Sequence, residues 1–599
     1  MKFMKIFLAA LLAVIVAGIL STMFWLIVLI GFSGSLSSEQ VVVSDNSILK
    51  INLQENITDS PVSDPFSGIS LFSMDMVPSL SLYKALQSID AAKYDDRIKG
   101  IYINPDGAGT IPLAAMEEIR AALVDFKSSG KFVVTYSDTY TQGLYYLASV
   151  SDKIYMQPKG SFSWSGLAQT SLFFKGMFDK LGLEYEIYRP TSCKYKSAVE
   201  PYFLKKMSDA NREQNEVLLN TMWSEMLKDI MQSRSFSGVD YLNKLADELL
   251  VTEATDALEY KMVDALIYED EMEGIFEELG VERGHDEQFN IVTLGEYSTQ
   301  LVPNIDNIGE KQVAIVYADG AIMDGEGEQS GTIFGDILAK KIKEVRLDDE
   351  VAAVVLRVNS PGGSALASDV IWREMKLLQQ VKPVVVSMGE YAASGGYYIS
   401  CPADAILADR FTLTGSIGVF GAFPIAKDFY EDKLGLTFDG VKTNRSADFG
   451  QGFLLGAVRP STASEKRALL RMVDRVYETF TGNVSEGRNL PIERVLEIAE
   501  GRVWSGVSAK EIGLIDDFGG LNDAIAVAAA KAGLEKYCVE ERLVQPEGFA
   551  AILSQLNARI KAQVEMDALG LMFKPYKRVQ EVLSLQGILM YSPYSYDIE

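Results

Sequence analysis

Y391-A-A-S-G-G-Y-Y398 aligns over T139-Y-T-Q-G-L-Y-Y146 and puts Ser394 opposite Gln142, an offset of 252 positions (394 − 142). The same offset carries Ala257 and Asp264 of A254-T-D-A-L-E-Y-K-M-V-D-A-L266 onto Ala509 and Asp516 of G506-V-S-A-K-E-I-G-L-I-D516, so the repeat runs through a whole domain. Working outward, each copy alternates short β-rich runs with helical patterns. In the first, I101-Y-I-N104 and F132-V-V-T-Y136 flank A114-A-M-E-E-I-R-A-A-L-V-D-F126; in the second, A353-V-V-L-R-V358 and V384-V-V-S-M388 flank S368-D-V-I-W-R-E-M-K-L-L378. Strands alternating with helices predict β-α-β units around largely parallel sheets, hence an α/β protein built from two tandem copies. Long amphipathic patterns over 211–230 and 464–480 add a helical arm to each, read as packing or subunit-contact helices.

The copies have diverged where chemistry would sit. The first has Gln142 in place of a serine, and its turn I103-N-P-D-G-A108 lacks the glycines of V358-N-S-P-G-G-S364. The second has Asp448 or Phe449, depending on a one-residue gap, opposite Lys196. A serine at a glycine-flanked strand-to-helix corner exposes its hydroxyl while the following N–H, here that of Gly395, can help bind an oxyanion. The P-G-G turn lacks the lysine and spacing of a phosphate loop, so nucleotide binding is a poor fit. A lysine can act as a base only where burial or a positive neighbour lowers its pKa. Lys196, in C193-K-Y-K-S-A-V-E200, stands next to an apolar Ala198-Val199 pair.

Composition removes several alternatives. The chain of 599 residues is too long for one core, and 82 acidic against 56 basic residues, net −26, is unsuited to a nucleic-acid partner. Three scattered cysteines (Cys193, Cys401, Cys538) form neither a disulfide framework nor a paired metal site and are read as packing residues, so no metal or cofactor is expected. The single histidine, His285, lies in the polar stretch E282-R-G-H-D-E-Q288, which argues against a Ser-His-Asp triad. Residues 6–32 are 27 positions without a charge, longer than a cleaved signal's apolar region and enough to span a bilayer. Lys2 and Lys5 before them put the N-terminus in the cytoplasm and the bulk across the membrane. The expected organisation is a cytoplasmic 1–5, an anchor at 6–32, a tether at 33–45, an N-terminal copy at 46–300, a C-terminal copy at 310–540 and an extension at 541–599 whose role is not readable.

K194-Y-K-S-A-V-E200 with Pro201, R357-V-N-S-P-G-G-S364, Y391-A-A-S-G-G-Y-Y398 and T414-G-S-I-G-V-F-G421, in this order, resemble the long, duplicated form of the signal peptide peptidase A (protease IV) family over about residues 1–540. The resemblance implies tandem crotonase/Clp-like domains and a serine–lysine dyad, with Ser394 as nucleophile and Lys196 as general base. It implies that Ser416 orients the lysine, and the loop positions of Gly362, Gly363 and Gly395 suggest them as oxyanion donors. It further implies a membrane-anchored peptidase of the bacterial inner membrane facing the periplasm, degrading cleaved signal peptides and other extended apolar peptides, as a homotetramer. A lysine base implies an alkaline activity optimum. Two competing readings are an inactive membrane scaffold or chaperone and a crotonase-type enzyme acting on acyl thioesters.

Overall fold

The computed structural model describes residues 18, 43–53, 56–61, 79–105, 111–284, 287–301, 309–327, 331–543 and 587–592. Segments 1–5 and 6–32 (Gly18 apart), most of the 33–45 tether, His285, the turn at 106–108 and most of 541–599 lie outside the described residues. Among the described residues no helix is long and apolar enough to cross a membrane.

Each copy is built on a parallel sheet. In the first the strand order is Ala265–Leu266, Lys153–Phe162, Phe132–Tyr140, Ile98–Asn104, Ser47–Asn52 and Ile291–Thr293, every neighbour parallel. In the second it is Val503–Ser505, Leu413–Gly415, Val384–Ala393, Val351–Ser360, Gln312–Asp319 and Cys538–Arg542, with only the Val503–Ser505 edge antiparallel among these. The central strands are runs of β-branched residues buried on both faces, as parallel strands covered by helices must be. Helices Leu113–Lys127 and Ala365–Gln379 fall where the apolar periodicity predicts them, and the arms are Asp209–Ser233 and Ala463–Arg488.

The repeat extends to single hydrogen bonds. Asp264 accepts from the Ile154 N–H at 2.8 Å, and Asp516 accepts from the Ile406 N–H at 2.7 Å, both pairs related by 252 positions. Tyr145 Oη donates to the Met262 carbonyl and Tyr397 Oη to the Leu514 carbonyl, again the same bond twice. Such matched bonds satisfy the backbone ends of equivalent turns, so both copies keep them whatever else has changed.

Buried charge joins the copies. The fully buried Arg357 guanidinium of the second copy meets Asp59 at 2.6 Å and Glu118 at 2.7 Å, and Arg410 binds Glu117, Glu225 and Asp229. A third sheet also crosses between them: strand Glu184–Tyr188 of the first copy pairs antiparallel with Phe420–Ile425 of the second. That strand leads directly into the segment carrying Lys196.

Candidate active site

Ser394 ends strand Val384–Ala393 and starts helix Gly395–Ser400 with φ 57° and ψ −111°. A side chain at positive φ is strained, and here the corner is held by the Ser394 N–H donating to the Gly415 carbonyl and the Tyr398 N–H donating to the Ser394 carbonyl, each at 2.8 Å. The hydroxyl thus projects from the end of a rigid strand rather than from a loop.

Lys196 arrives from the other copy. Its Nζ lies 2.7 Å from Ser394 Oγ, 2.9 Å from Ser416 Oγ and 3.0 Å from the Ser416 carbonyl oxygen. The residue is 1% exposed, and burial without a carboxylate partner pushes its pKa down to about 7. Ser416, also at positive φ, is fixed by its own N–H on the Arg502 carbonyl at 2.7 Å, and its Oγ donates to the Gly501 carbonyl at 3.3 Å.

Two features position the lysine that the sequence reading did not single out. Gly501 has φ +76°, and a Cβ there would lie 2.6 Å from Lys196 Cβ and 2.8 Å from its backbone nitrogen, so only a hydrogen lets the backbones come this close. Gln214 clamps the same loop: its Nε2 donates to Ser197 Oγ at 2.8 Å while its Oε1 accepts from the Val503 N–H at 3.2 Å, bridging the copies. The signal for Gly501 was present in the repeat, since the 252 offset sets it against Leu249, but the reason for the difference is visible only in three dimensions.

The three glycines converge on the serine. A Cβ on Gly395 would sit 3.0 Å from Gly362 Cα and 3.1 Å from the Gly363 nitrogen. The Gly362 N–H is taken by Ser360 Oγ at 3.2 Å, Gly363 is laddered opposite Met590, and the Gly395 N–H is the one that directly follows Ser394. Cys193 and Cys401 are buried, and burial raises their thiols to about 11 and about 12, out of the range of a nucleophile at neutral pH.

The counterpart positions carry no such chemistry. Gln142 starts helix Gln142–Ala148 after a Thr141 cap of ordinary backbone, and its amide binds the loop opposite: Oε1 accepts from Gly166 and Ser165 N–H at 2.6 and 2.9 Å, and Nε2 donates to the Gly166 carbonyl at 3.0 Å. Asp448 is ion-paired with Arg459 and Lys442.

Comparison with known proteins agrees with this duplication. Peptidase family S49 matches residues 125–279 and 376–535, one region in each copy. The chain is 33% identical to Protease 4 of Salmonella typhi over 534 residues, covering 86% of this chain and 83% of that protein. It is 33% identical to Protease 4 of Haemophilus influenzae over 84% of this chain and 81% of the relative. The chloroplastic serine protease SPPA of Arabidopsis thaliana is 35% identical over 82% of this chain and 70% of that protein.

Proposed function

The chain belongs to peptidase family S49 and is a serine peptidase, and we propose that it works through a dyad split between its two copies, Ser394 as nucleophile and Lys196 as base. The observation that carries this reading is the 2.7 Å contact between Nζ and Oγ inside a buried site, where desolvation pushes the amine down to about 7 and so makes the neutral form accessible. A neutral amine has two N–H groups and one lone pair. With the N–H groups donated to the Ser416 carbonyl and Oγ, at 3.0 and 2.9 Å, the lone pair faces the Ser394 hydroxyl. Ser416 Oγ can accept that N–H because its own proton goes to the Gly501 carbonyl. Its role is to orient the base.

In the proposed reaction Ser394 Oγ attacks a peptide carbonyl as its proton passes to Lys196, and the oxyanion is held by the N–H groups of Gly395 and Gly363. The lysinium then protonates the leaving amine, and water deacylates the serine with Lys196 again as base. The substrate class is the extended apolar peptide, including spent signal peptides. The charge-free 6–32 stretch after Lys2 and Lys5 supports a membrane anchor, with the peptidase domains outside the cytoplasmic membrane of a bacterium. Exposed Leu434, Leu436, Phe438 and Val441 on one surface segment support self-association, a tetramer by the family resemblance.

Cleavage of a synthetic signal peptide by the purified full chain tests this, with Ser394→Ala and Lys196→Ala as variants. Each is expected to lose roughly 10³-fold or more in kcat/KM with assembly unchanged. Retained cleavage in either would overturn the dyad.

A further inference from the structure

A cavity of about 390 Å³ lies on the seam between the two copies. Helices Leu82–Tyr94 and Leu113–Lys127 of the first copy form one wall; Asp409 and the turn into helix Leu521–Lys531 of the second form the other. Six carboxylates line it: Asp90, Glu117, Glu118, Asp125, Asp409 and Asp523. Three of them are matched by a cation of the protein itself. Arg410 meets Glu117, Arg357 meets Glu118 at 2.7 Å, and Lys93 meets Asp125 at 2.8 Å. Asp523 caps its helix by accepting the Gly520 N–H at 3.0 Å. Among the described residues Asp90, Asp409 and Asp523 have no ion-pair partner.

Asp409 makes this more than an accumulation of acids. The residue is 5% exposed, and its Oδ2 is buried with no hydrogen-bond partner. A buried carboxylate oxygen without a donor is strongly unfavourable unless a proton or a cation reaches it. Burial first, then Glu118 and Glu117, hold the Asp409 carboxyl well above the usual carboxylate range, and Arg357 only partly opposes them. A proton is one way to satisfy the group, and a cation entering the cavity is the other. The rest of the lining sets the class of that cation. Leu86, Ala122 and Phe518 give the cavity apolar surface between the acids. Among the described residues no three acidic, histidine or cysteine side chains are grouped so as to hold a metal ion. A divalent ion needs several oxygens at about 2.0–2.6 Å. A linear alkyl polyammonium instead carries its charges several methylenes apart and lays the stem on apolar surface. The volume falls within the roughly 300–1,000 Å³ of small-molecule sites.

We propose that this cavity binds a small linear organic polycation of the alkyl diamine or triamine class, with one ammonium on Asp409 and another at the rim on Asp90 or Asp523. The bound charge offsets acids on both walls. It therefore fastens the first copy to the second alongside Arg357 and Arg410, and supports the docking that brings Lys196 to Ser394. Binding here does not rest on the dyad, and it is measured apart from cleavage.

The test is isothermal titration of the purified full chain with spermidine and with 1,4-diaminobutane at constant ionic strength, because a chain of net charge −26 attracts any cation non-specifically. One saturable site per chain is expected, and the thermal midpoint should rise as ligand is added. Asp409→Asn and Asp90→Asn are each expected to raise the dissociation constant about tenfold. Asp90 is exposed, so its variant reads the site without disturbing the interior. Asp270→Asn, on the exposed acidic segment of the first copy, should leave the constant within about twofold. Absence of a saturable site would overturn the proposal, as would equal weakening in Asp270→Asn or undiminished binding in both Asp409→Asn and Asp90→Asn. Magnesium ions filling the same site as well as spermidine would overturn the assignment to an organic cation.

Discussion

Gly501 and Leu249 occupy the same place in the two copies, 252 positions apart, and both have positive φ, +76° and 48°. The backbone shape was therefore kept through divergence while the side chain was not. In the first copy the turn faces solvent, and Leu249 is 58% exposed; in the second it presses against Lys196. The difference teaches that the second copy is constrained by what the first inserts into it. On the proposed dyad neither copy is a complete catalyst with a spare, and the crossing strand Glu184–Tyr188 on Phe420–Ile425 is the element that brings Lys196 of one copy within 2.7 Å of Ser394 of the other.

The sharpest way to break this comparison is to exchange the two residues. Gly501→Leu puts a side chain into a left-handed conformation and into the Lys196 backbone, and a displacement of the base by about 1 Å costs on the order of 10²-fold in rate. Peptide hydrolysis is expected to fall by at least that factor. Leu249→Gly relieves a strained residue with no neighbour to disturb, so kcat/KM should stay within about twofold, with stability changed by less than about 1 kcal/mol. Comparable losses of activity in both variants would show that the turn matters for folding alone.

Lys196 gives the next largest effect, and its sign can be worked out. Its pKa in the folded chain, about 7, lies below the ordinary 10.5 because of burial. Only the neutral amine can take the serine proton, so kcat/KM should rise about tenfold per pH unit below 7 and level off above it. This brings the expected alkaline optimum closer to neutrality. For stability, the unfolded chain keeps a proton between pH 7 and 10.5 that the folded chain sheds. The group's contribution is thus fully present above 10.5 and lost as pH falls to 7. Lys196→Met should therefore unfold at higher denaturant concentration at pH 7, by on the order of 2 kcal/mol, with the gain shrinking towards pH 10. A variant less stable than wild type at pH 7 would mean the amine is charged in the folded state.

Much of this architecture was legible because it repeats. The 252 offset, the β-rich runs and the helices around 114–126 and 368–378 follow from periodicity, and the match of Ser394 to Gln142 marks the point of divergence. What periodicity could not show are contacts between elements distant in the chain. Strand Glu184–Tyr188 reads locally as part of the first copy, yet it pairs with the second. Gln214 lies on an arm whose apolar spacing indicates packing, and nothing local shows that its amide bridges Ser197 to Val503. Strand Gly587–Tyr591 stands alone in a stretch without a repeat partner, so no alignment within the chain could assign it. The glycines at 362, 363 and 395 were readable as a group, but that Ser360 takes the N–H of Gly362 and that Gly363 is laddered opposite Met590 depends on the folded chain.

Gln142 sharpens the comparison from the other side. Its amide makes three bonds to Ser165 and Gly166, so the vacated serine position has become a structural clasp. Gln142→Ala should cost about 1–2 kcal/mol in chemical denaturation, because water can reach the partly exposed loop and replace part of what is lost. Hydrolysis should be unaffected. Gln142→Ser should likewise create no second active centre, because that corner has ordinary backbone and no lysine contact. Active-site titration exceeding one serine per chain in Gln142→Ser would show that the copies are more nearly equivalent than their geometry indicates.

The smallest effect belongs to the position opposite Lys196. Asp448 lies on a surface loop, where the Arg459 guanidinium and then Lys442 hold its carboxyl well below the usual carboxylate range. Exposed ion pairs of this kind are screened by solvent and salt and contribute little. Asp448→Asn is therefore expected to leave kcat/KM within about twofold at moderate ionic strength. If the second copy's loop had kept a catalytic duty, the variant would show a changed pH profile, since the charge removed would no longer act on the groups near Ser394. An unchanged profile, together with the collapse expected for Lys196→Ala, would mean that position 196 and its counterpart share ancestry but no longer share a function. On the proposed dyad, burial explains why the base would stand at 196 and not at its counterpart: an amine is neutral near physiological pH only where its loop is pressed into the neighbouring copy.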